Sequence, residues 1–327
     1  MDLISFGSVF LELVFGHVPE LPGPGEEVFT DEFALSCGGA VTSATAAAAA
    51  GLRAGVCTVL GEDLGSQVVT EHCAAAGLDL APSVTVGTQA AGITVVLNFD
   101  GDRGFVTHVP PAGRAGQAAV DRWPAVLRQF RPAWCYLHAS PQVPGFLRAA
   151  RRLGCKIMLD TSLGDERDER DAIIECAALA DIFVPNSDEL LRLTGCATIE
   201  SAVAAARQWG VQLVIKRGAA GALAASPDGG IIEVSDGVAD VRVRDLTGAG
   251  DNFAGALIAA LLGGAALADA VVAANAAGSR AVSRLGAVGE ISGAGMSMGL
   301  LASPAGVGQV AAALAAPRQR QAMEQGR

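Results

Sequence analysis

The sequence contains few lysines, and their positions exclude two nucleotide-binding classes. Only Lys156 and Lys216 occur among its 327 residues. A Walker phosphate-binding loop needs a glycine immediately before its lysine, whereas these two lysines follow Cys155 and Ile215. The H-R-D and V-A-I-K sequences of protein kinases are also absent. If the protein handles a phosphate group, it uses another device.

Paired cysteines, long apolar runs and excess positive charge are missing too. The seven cysteines form no C-x-x-C pair, so we expect small buried thiols in a reducing, cytoplasmic setting. An uncharged stretch at residues 253–268 is shorter than the roughly 20 strongly apolar residues of a membrane span and predicts a buried helix. The net charge of −11 disfavours a nucleic-acid partner, which would require a basic surface. No basic leader follows Met1, so export is not expected.

Short aliphatic runs alternate with longer alanine-rich stretches through most of the chain. Predicted strands cover residues 3–6, 55–60, 133–138, 156–159, 182–185 and 213–216, and predicted helices cover residues 39–50, 66–76, 143–153, 188–194 and 201–209. This alternation predicts a doubly wound α/β fold with a mostly parallel sheet and helices on both faces. Later residues predict short edge strands at 221–225, 230–234 and 241–244, then two long helices at 249–262 and 267–284.

Two segments, at about residues 13–36 and 83–109, break this alternation. The first is rich in proline and glycine before an alternating stretch, and the second alternates apolar residues with small or polar ones. Such a period of two predicts antiparallel strands with one solvated face. We expect both segments to pair as a small β-sheet lid within a single domain of residues 1–327. We also expect the exposed face of this lid to join two copies as a homodimer.

The densest glycine feature is the run Asp245-Leu246-Thr247-Gly248-Ala249-Gly250-Asp251, which leads directly into an apolar helix. Glycines ahead of a helix let its first N–H groups converge on an anion, and the helix dipole adds attraction. A carboxylate in that turn fits a base that takes a proton from an attacking hydroxyl. The alternative is an ordinary N-cap, in which Asp251 accepts bonds from first-turn N–H groups. Phe253 stands where a dinucleotide fingerprint needs its third glycine, so that fingerprint is disfavoured.

Several motifs, in the same order along the chain, resemble the ribokinase-like (PfkB) family of carbohydrate and nucleoside kinases. The run D-x-T-G-A-G-D-x-F-x-G-A from Asp245 is similar to the family's C-terminal signature. Gly38-Gly39 and residues 61–65 resemble its N-terminal signature, residues 185–189 its N-x-x-E motif, and residues 216–221 its nucleotide-side glycine turn. The resemblance spans about residues 3–288 and implies a ribokinase-like fold with a β-sheet lid.

The resemblance implies a role for each matched residue. Asp251 would deprotonate the acceptor hydroxyl, and the amides of Gly248, Ala249 and Gly250 would bind the transferred phosphoryl group. The remaining implied positions are Asn186, Lys216, Gly218, Gly221, Thr247 and Asn275 for ATP, Glu189 and Asn186 for Mg²⁺ through water, and Asp245 with Thr247 for a monovalent cation such as K⁺.

The acceptor side departs from the family pattern. The implied substrate-binding residues are Glu12, Gly38, Gly39 and Ser43, but Glu12 replaces the usual aspartate and Ser43 the usual asparagine. Arg103 and His108 on the lid are further candidates, weighed against solvated or cross-strand roles.

The other histidines, His17, His72 and His138, are expected to be structural. None of the four histidines of the chain has metal-ligand spacing. The G-x-S-x-G sequence at residues 295–299 resembles the nucleophile turn of α/β-hydrolases. That fold needs a later histidine, and the last one here is His138. We therefore interpret residues 295–299 as a glycine-rich loop.

The sequence thus predicts an ATP- and Mg²⁺-dependent enzyme that phosphorylates a hydroxyl of a small sugar or sugar acid. The alternatives are a nucleoside kinase of the same family and a non-catalytic sugar-binding or regulatory protein on this fold. Aromatic residues make up 5% of the chain, with one tyrosine, which leaves few rings to stack a base and favours a sugar. A pure binding protein would have no need of a base at Asp251.

Overall fold

An eight-stranded sheet forms the centre of the protein. The structure, a computed structural model, describes residues 1–100, 102–114, 116–162 and 169–291. Along the sheet the strands lie in the order Ile231–Val234 (β14), Ala222–Ala225 (β13), Gln212–Lys216 (β12), Ile182–Phe183 (β11), Lys156–Asp160 (β10), Trp134–His138 (β9), Leu3–Phe6 (β1) and Ala54–Cys57 (β4). All neighbours from β12 to β4 are parallel, while β13 and β14 are antiparallel additions. The prediction of a doubly wound, mostly parallel sheet is confirmed.

Helices cover both faces of this sheet. On one face pack Ala40–Ala49 (α1), Leu64–Ala75 (α2), Ala249–Leu262 (α9) and Leu267–Ala281 (α10). On the other pack Gln117–Val120 (α3), Trp123–Phe130 (α4), Pro144–Arg152 (α5), Arg170–Leu179 (α6), Ser187–Thr194 (α7) and Ile199–Ala206 (α8). Successive strand residues point to opposite faces, so Met158 packs in the cluster with Leu257 of α9, and Ile157 packs in the opposite cluster.

A second, four-stranded sheet forms from the two segments that break the α/β alternation. Its strands are Glu32–Gly39 (β3), Val9–Gly16 (β2), Gly92–Asn98 (β7) and Arg103–His108 (β8), in that order. The expectation of purely antiparallel pairing was wrong, because β2 and β7 pair in parallel between two antiparallel pairs. Sequence analysis also missed most of β2. Its residues are buried or half-buried throughout, so both faces are largely apolar and no clean alternation marks the strand.

Two further sequence predictions differ from the structure. Val84–Thr85 (β6) pairs with Val59–Leu60 (β5) in a separate parallel pair, so the second segment of the small sheet begins at Gly92 rather than at residue 83. Residues 241–244 form no strand. The amides of Arg244 and Asp245 both donate to the carbonyl of Val282 just after α10, which ties this segment to a helix end rather than to a sheet edge.

The described thiols are unpaired, and six of the seven are buried. Among the described residues, no helix has the length and apolar character needed to cross a membrane. Residues 1–291 form one compact unit. The single domain over residues 1–327 and the cytoplasmic setting stay predictions, and the glycine-rich loop at residues 295–299 lies outside the described residues.

Candidate active site

Three parallel strands bring polar side chains to one edge of the large sheet. Tyr136 and His138 lie at the end of β9, Asp160 ends β10 in register with His138, and Lys216 ends β12. These four side chains lie on the same face of the sheet as Met158 and Val214, which pack in one apolar cluster with α9. The carboxyl ends of parallel strands are where open α/β sheets bind ligands. The sheet therefore presents this group of side chains to the start of α9.

Asp251, in the first turn of α9, joins this group. Its Oδ1 accepts a hydrogen bond from the Tyr136 hydroxyl at 2.9 Å and lies 3.5 Å from His138 Nε2. Within the described part of the chain, no side chain caps the start of α9. The alternative in which Asp251 is an ordinary N-cap is therefore wrong. The Asp251 side chain is 21% exposed, so part of it is open to solvent.

The turn before α9 has the backbone shape that its glycines predict. Gly248 has φ 72°, in the left-handed region that glycine adopts without strain, and a Cβ there would lie 2.6 Å from that of Ala287. The Ala249 amide is partly engaged, since it donates to Leu246 at 3.4 Å. The first N–H groups of a helix have no acceptor within the helix. A phosphoryl group bound at this turn would therefore be held mainly by the amides of Gly248 and Gly250.

Lys216 brings a positive charge to this turn. Its Nζ lies 2.6 Å from Asp160 Oδ2, with the two side chains 15% and 3% exposed. A Cβ on Gly250 would come within 2.9 Å of the same Nζ, so the ammonium lies against the backbone of the first turn. Burial acts to lower the pKa of Lys216, but the charges of Asp160 and Glu189 outweigh it and the pKa is raised. The lysine is therefore cationic beside the helix start.

The surroundings of Asp251 favour its ionised form. Burial acts to raise its pKa, but the hydrogen bond and charge of His138, the Tyr136 hydroxyl and the Lys216 ammonium together hold the pKa below its usual range. In turn, burial acts to lower the pKa of His138, whereas the bond to Asp251 and the charge of Asp160 raise it overall. Asp251 is thus a carboxylate at neutral pH, as a proton acceptor must be.

Asn186 and Glu189 form a reciprocal cap at the start of α7. Asn186 Oδ1 accepts from the Glu189 amide at 2.8 Å, and the Asn186 amide donates to Glu189 Oε2 at 2.7 Å. Burial and the charge of Asp160 raise the pKa of Glu189, against the charge of Lys216. The described residues contain no cluster of three or more metal-binding side chains. The other carboxylate oxygen of Glu189 has no hydrogen-bond partner among the described residues. This fits Mg²⁺, which usually keeps several waters and binds through one or two carboxylates and substrate phosphates.

Glu12 lies on β2, and its side chain is buried beneath the small sheet. It is 6% exposed, and its Oε2 accepts from the Ala287 amide at 3.2 Å. A Cβ on Gly38 would overlap its other oxygen. Burial raises the pKa of Glu12 to about 7, opposed by the Ala287 amide and reinforced by the charges of Asp245 and Asp251. This implied sugar-binding residue therefore already binds the loop that follows α10.

Three other candidates for the acceptor side lie in different surroundings. Ser43 on α1 has no exposed surface, and its hydroxyl lies 2.9 Å from that of Ser5. Gly39 precedes α1 with φ 76°. The Arg103 guanidinium lies 5.4 Å from the centre of the Phe105 ring. The structure thus places the Ser43 side chain in the core, with its hydroxyl paired to Ser5.

Asp245 has the environment of a site for a cation. It is 2% exposed, and its two oxygens accept from the amides of Thr247 and Gly286, both at 2.8 Å. No lysine, arginine or histidine of the described ranges pairs with it. The Thr247 hydroxyl oxygen is buried without a hydrogen-bond partner there. A buried carboxylate without a charged partner beside an unsatisfied oxygen fits a monovalent cation.

The nucleotide-side glycines form a tight turn after β12. Gly218 and Gly221 have φ 57° and 80°, and a Cβ on Gly221 would overlap the Val234 carbonyl. Asn275 is 5% exposed, and its Nδ2 donates to the carbonyls of Val234 and Asp236 at 3.1 and 2.9 Å. Its amide nitrogen therefore supports the backbone beside this turn.

Sequence reasoning missed three residues of the site. His138 was expected to be structural, whereas its ring lies beside Asp251. Tyr136 and Asp160 were not singled out as site residues. Tyr136 and His138 stand in the last residues of the predicted strand 133–138, and Asp160 directly follows the predicted strand 156–159, so a position at a strand end was the available signal. Sequence gives the strand ends but not which of them meet the start of a helix about 90 to 115 residues later.

Comparison with known proteins gives a family and named relatives. Residues 2–292 match the family described as pfkB family carbohydrate kinase. An aminoimidazole riboside kinase from Salmonella typhimurium is 32% identical over 61% of this chain and 66% of its own length. The bifunctional protein HldE from Halorhodospira halophila is 29% identical over 82% and 56%, respectively. A cytidine kinase from Thermococcus kodakarensis is 27% identical over 79% and 88%. The chain thus spans less than two thirds of the length of the first two of these relatives.

Solved structures share the fold. A candidate Ribokinase II from E. coli in complex with ATP and Mg²⁺ has a TM-score of 0.74, with 24% identity over 88% of this chain and 94% of its own. Arabidopsis thaliana ribokinase complexed with ribose and ATP has a TM-score of 0.71, with 24% identity over 86% and 92%. A Vibrio cholerae fructokinase with fructose, ADP and potassium ion bound has a TM-score of 0.70, with 22% identity over 88% and 94%. The fold is ribokinase-like.

The two lysines offer a matched test of the buried ion pair. Lys216→Met leaves Asp160 as a buried charge without its partner, so we expect the free energy of unfolding to fall by about 3–5 kcal/mol. Lys156→Met breaks the exposed pair with Asp181 and should change stability little. Urea denaturation of both variants measures the difference. Asp160→Asn added to Lys216→Met should recover part of the loss, whereas equal stability of the two single variants would contradict the buried pair.

Proposed function

The chain belongs to the pfkB family of carbohydrate kinases, and on that premise we propose that it transfers the γ-phosphoryl group of ATP to a hydroxyl of a small sugar or sugar acid. The observation that carries this proposal is the placement of the Asp251 carboxylate in the first turn of α9 beside the Lys216 ammonium. A carboxylate in an electropositive turn has little use in binding phosphate alone. It has a clear use as a base next to a phosphoryl group.

In this proposal each residue of the site has a separate task. Asp251 takes the proton of the acceptor hydroxyl. The amides of Gly248 and Gly250, with the Lys216 ammonium, stabilise negative charge on the transferred group, as preorganised donors do in phosphoryl transfer. Gly218 and Gly221 shape the turn on the nucleotide side. Glu189 would hold Mg²⁺ through water, and the ion would neutralise phosphate charge when it is bound with the nucleotide.

The small sheet supplies the means of excluding water. The inner side chains of Val14, Ala34 and Val96 pack on Leu285, and Glu12 binds the adjacent loop at Ala287. This places the sheet across the segment that follows α10. Closing a site to water protects a phosphoryl donor from hydrolysis and strengthens the electrostatic interactions inside. We assign that role to the small sheet as a lid.

A sugar is favoured over a nucleoside because the single tyrosine is buried and hydrogen-bonded within the protein. Tyr136 is 1% exposed, and its hydroxyl is bound within the protein, so it cannot stack on a base. The second candidate is a nucleoside, because two relatives are an aminoimidazole riboside kinase and a cytidine kinase. A non-catalytic role is not retained, since the matched family and the named relatives are kinases.

Two cations belong to the proposal. Mg²⁺ is supported by the free oxygen of Glu189 and by the ATP and Mg²⁺ complex of the E. coli relative. A monovalent cation such as K⁺ at Asp245 and Thr247 is supported by the unpaired buried carboxylate and by the potassium ion bound to the V. cholerae fructokinase.

The base can be tested by removing its charge. We expect the wild-type protein to release ADP with at least one member of a panel of pentoses, hexoses, sugar acids and nucleosides. Asp251→Asn should lower kcat by about 10²- to 10⁴-fold, the usual contribution of a general base, while ATP binding measured by calorimetry stays nearly unchanged. Asp269→Asn, which alters an exposed carboxylate in the first turn of α10, is the matched control and should keep full activity.

The same panel decides between the candidates. Activity with sugars alone supports the proposal, and activity with nucleosides alone favours the second candidate. An Asp251→Asn variant that keeps wild-type kcat on a proven acceptor would contradict the assigned base.

We also propose that the small sheet joins two copies of the chain. Its exposed apolar residues include Phe33, Ile93 and Val106, which are 50%, 42% and 64% exposed. We expect light scattering after size exclusion to give the mass of a dimer, and Val106→Asp to give that of a monomer because it buries a charge in the interface. Ile231→Asp, at a 51% exposed site on β14, should stay dimeric. A monomeric wild-type protein at micromolar concentration would contradict the interface.

A further inference from the structure

The Tyr136 hydroxyl lies between the buried carboxylate of Asp160 and the half-buried carboxylate of Asp251. Its oxygen is 2.9 Å from Asp251 Oδ1 and 3.1 Å from Asp160 Oδ2. Tyr136 is 1% exposed, so bulk water has no access to it. Burial and the charges of Asp160 and Asp251 raise the pKa of the phenol well above its usual range. The hydroxyl therefore keeps its proton at neutral pH.

A phenol has one proton to donate, so it cannot satisfy both carboxylates at once. Asp160 has other donors, since Lys216 Nζ lies 2.6 Å from its Oδ2 and the Thr161 amide donates to its Oδ1 at 2.8 Å. Asp251 has only His138, at the longer distance of 3.5 Å, among the side chains of the described residues. An ionised Asp251 therefore has the greater need of the Tyr136 proton.

The ring of His138 secures the same oxygen from a second direction. Its Nδ1 lies 2.9 Å from the Ser162 hydroxyl, and its Nε2 faces Asp251 Oδ1. Both neighbours of Asp251 on β9 thus bind Oδ1. The other charged groups acting on Asp251 are Lys216 on β12 and Glu12 on β2, while Asp160 on β10 acts on the shared Tyr136 hydroxyl. Among the described residues, Asp251 Oδ2 has no hydrogen-bond partner, so it is the oxygen free to accept a proton.

We propose that Tyr136 is a positioning residue that works as a two-position hydrogen-bond switch, donating to Asp251 while that base is ionised and turning to Asp160 once it is protonated. The inference rests on the proposed function. The proton of the acceptor hydroxyl goes to Asp251 Oδ2 as the oxygen of the acceptor bonds to phosphorus and the bond to the departing ADP oxygen breaks. Tyr136 keeps its own proton, which only changes direction.

The switch would give the base a satisfied partner in both protonation states. Without Asp160 within reach, protonating Asp251 would weaken the bond that Tyr136 makes and leave a buried hydroxyl poorly paired, which is costly. With Asp160 at 3.1 Å, rotation of one O–H restores a bond to a charged acceptor. This explains why an acid already paired with Lys216 also contacts the tyrosine.

The single tyrosine makes the switch directly observable. Protein labelled with ¹³C at the tyrosine Cζ gives one resonance, whose position reports the hydrogen bond of the Tyr136 hydroxyl. At neutral pH we expect a strongly deshielded signal in the wild type and in Asp251→Asn, because the hydroxyl turns to Asp160 in the variant. Only the double variant Asp160→Asn with Asp251→Asn should return the signal to that of tyrosine in an unfolded peptide. A return in Asp251→Asn alone would overturn the switch.

Kinetics on an accepted substrate provide a readout that a purely structural role would not move. Tyr136→Phe removes one donor to the carboxylate, so the acid limb of the pH profile of kcat should move up by about one pH unit, with KM for ATP unchanged. Incorporated 3-fluorotyrosine, a stronger donor of nearly the same shape, should move the limb down. Thr42→Val removes a buried hydroxyl that has no partner among the described residues, and should leave the limb in place.

These measurements distinguish a failure of the switch from a failure of the kinase function. An unchanged acid limb in folded, active Tyr136→Phe would overturn the switch and leave the kinase function standing. A resonance that follows the expected pattern in a protein that phosphorylates no acceptor of the panel would overturn the proposed function and leave the hydrogen-bond geometry intact.

Discussion

The site depends on keeping negative charge buried at the end of a parallel sheet. Asp160 and Asp251 share one hydroxyl between them, and a single ammonium, Lys216, lies close enough to offset their charge. Such a cluster is stable only if each carboxylate has hydrogen-bond donors or a charged partner. The strand ends supply these donors from β9 and β12, and the start of α9 supplies its dipole. Removing any one donor leaves a buried carboxylate short of partners, which is why the site behaves as a unit.

Sequence patterns predicted the scaffold well, because hydrophobic period and turn residues are local. The helix over residues 249–262 and the strand over residues 3–6 match the structure residue for residue. The strand β2 escaped because both of its faces are covered. The placement of His138 and Asp160 beside Asp251 depends on strand order and on where α9 docks. Those are long-range choices that no local pattern encodes, so the charge cluster could be recognised only from the structure.

The acceptor side illustrates how one methylene changes a role. The family resemblance implies that Glu12 binds a sugar hydroxyl, but the longer glutamate reaches the Ala287 amide instead. Its burial brings its pKa to about 7, so near neutral pH it can donate as well as accept. Ser43, being short, bonds to Ser5 in the core. The surroundings of Asp251 and Lys216 fit the proposed phosphoryl side, whereas Glu12 and Ser43 are bound within the protein, so we expect substrate choice to diverge from that of the relatives at these two positions.

A crystal structure with ADP, Mg²⁺ and aluminium fluoride tests the central claim most directly, because the fluoride complex imitates the phosphoryl group during transfer and transition-state mimics bind best where charge is stabilised. The account predicts aluminium fluoride within hydrogen-bond distance of the Gly248 and Gly250 amides and of Lys216 Nζ. It also predicts that Asp251 Oδ2 points to the side of the aluminium that ADP leaves open. Asp251 Oδ1 should still accept a hydrogen bond from Tyr136. Aluminium fluoride bound elsewhere, or an Asp251 carboxylate turned away from it, would contradict the account.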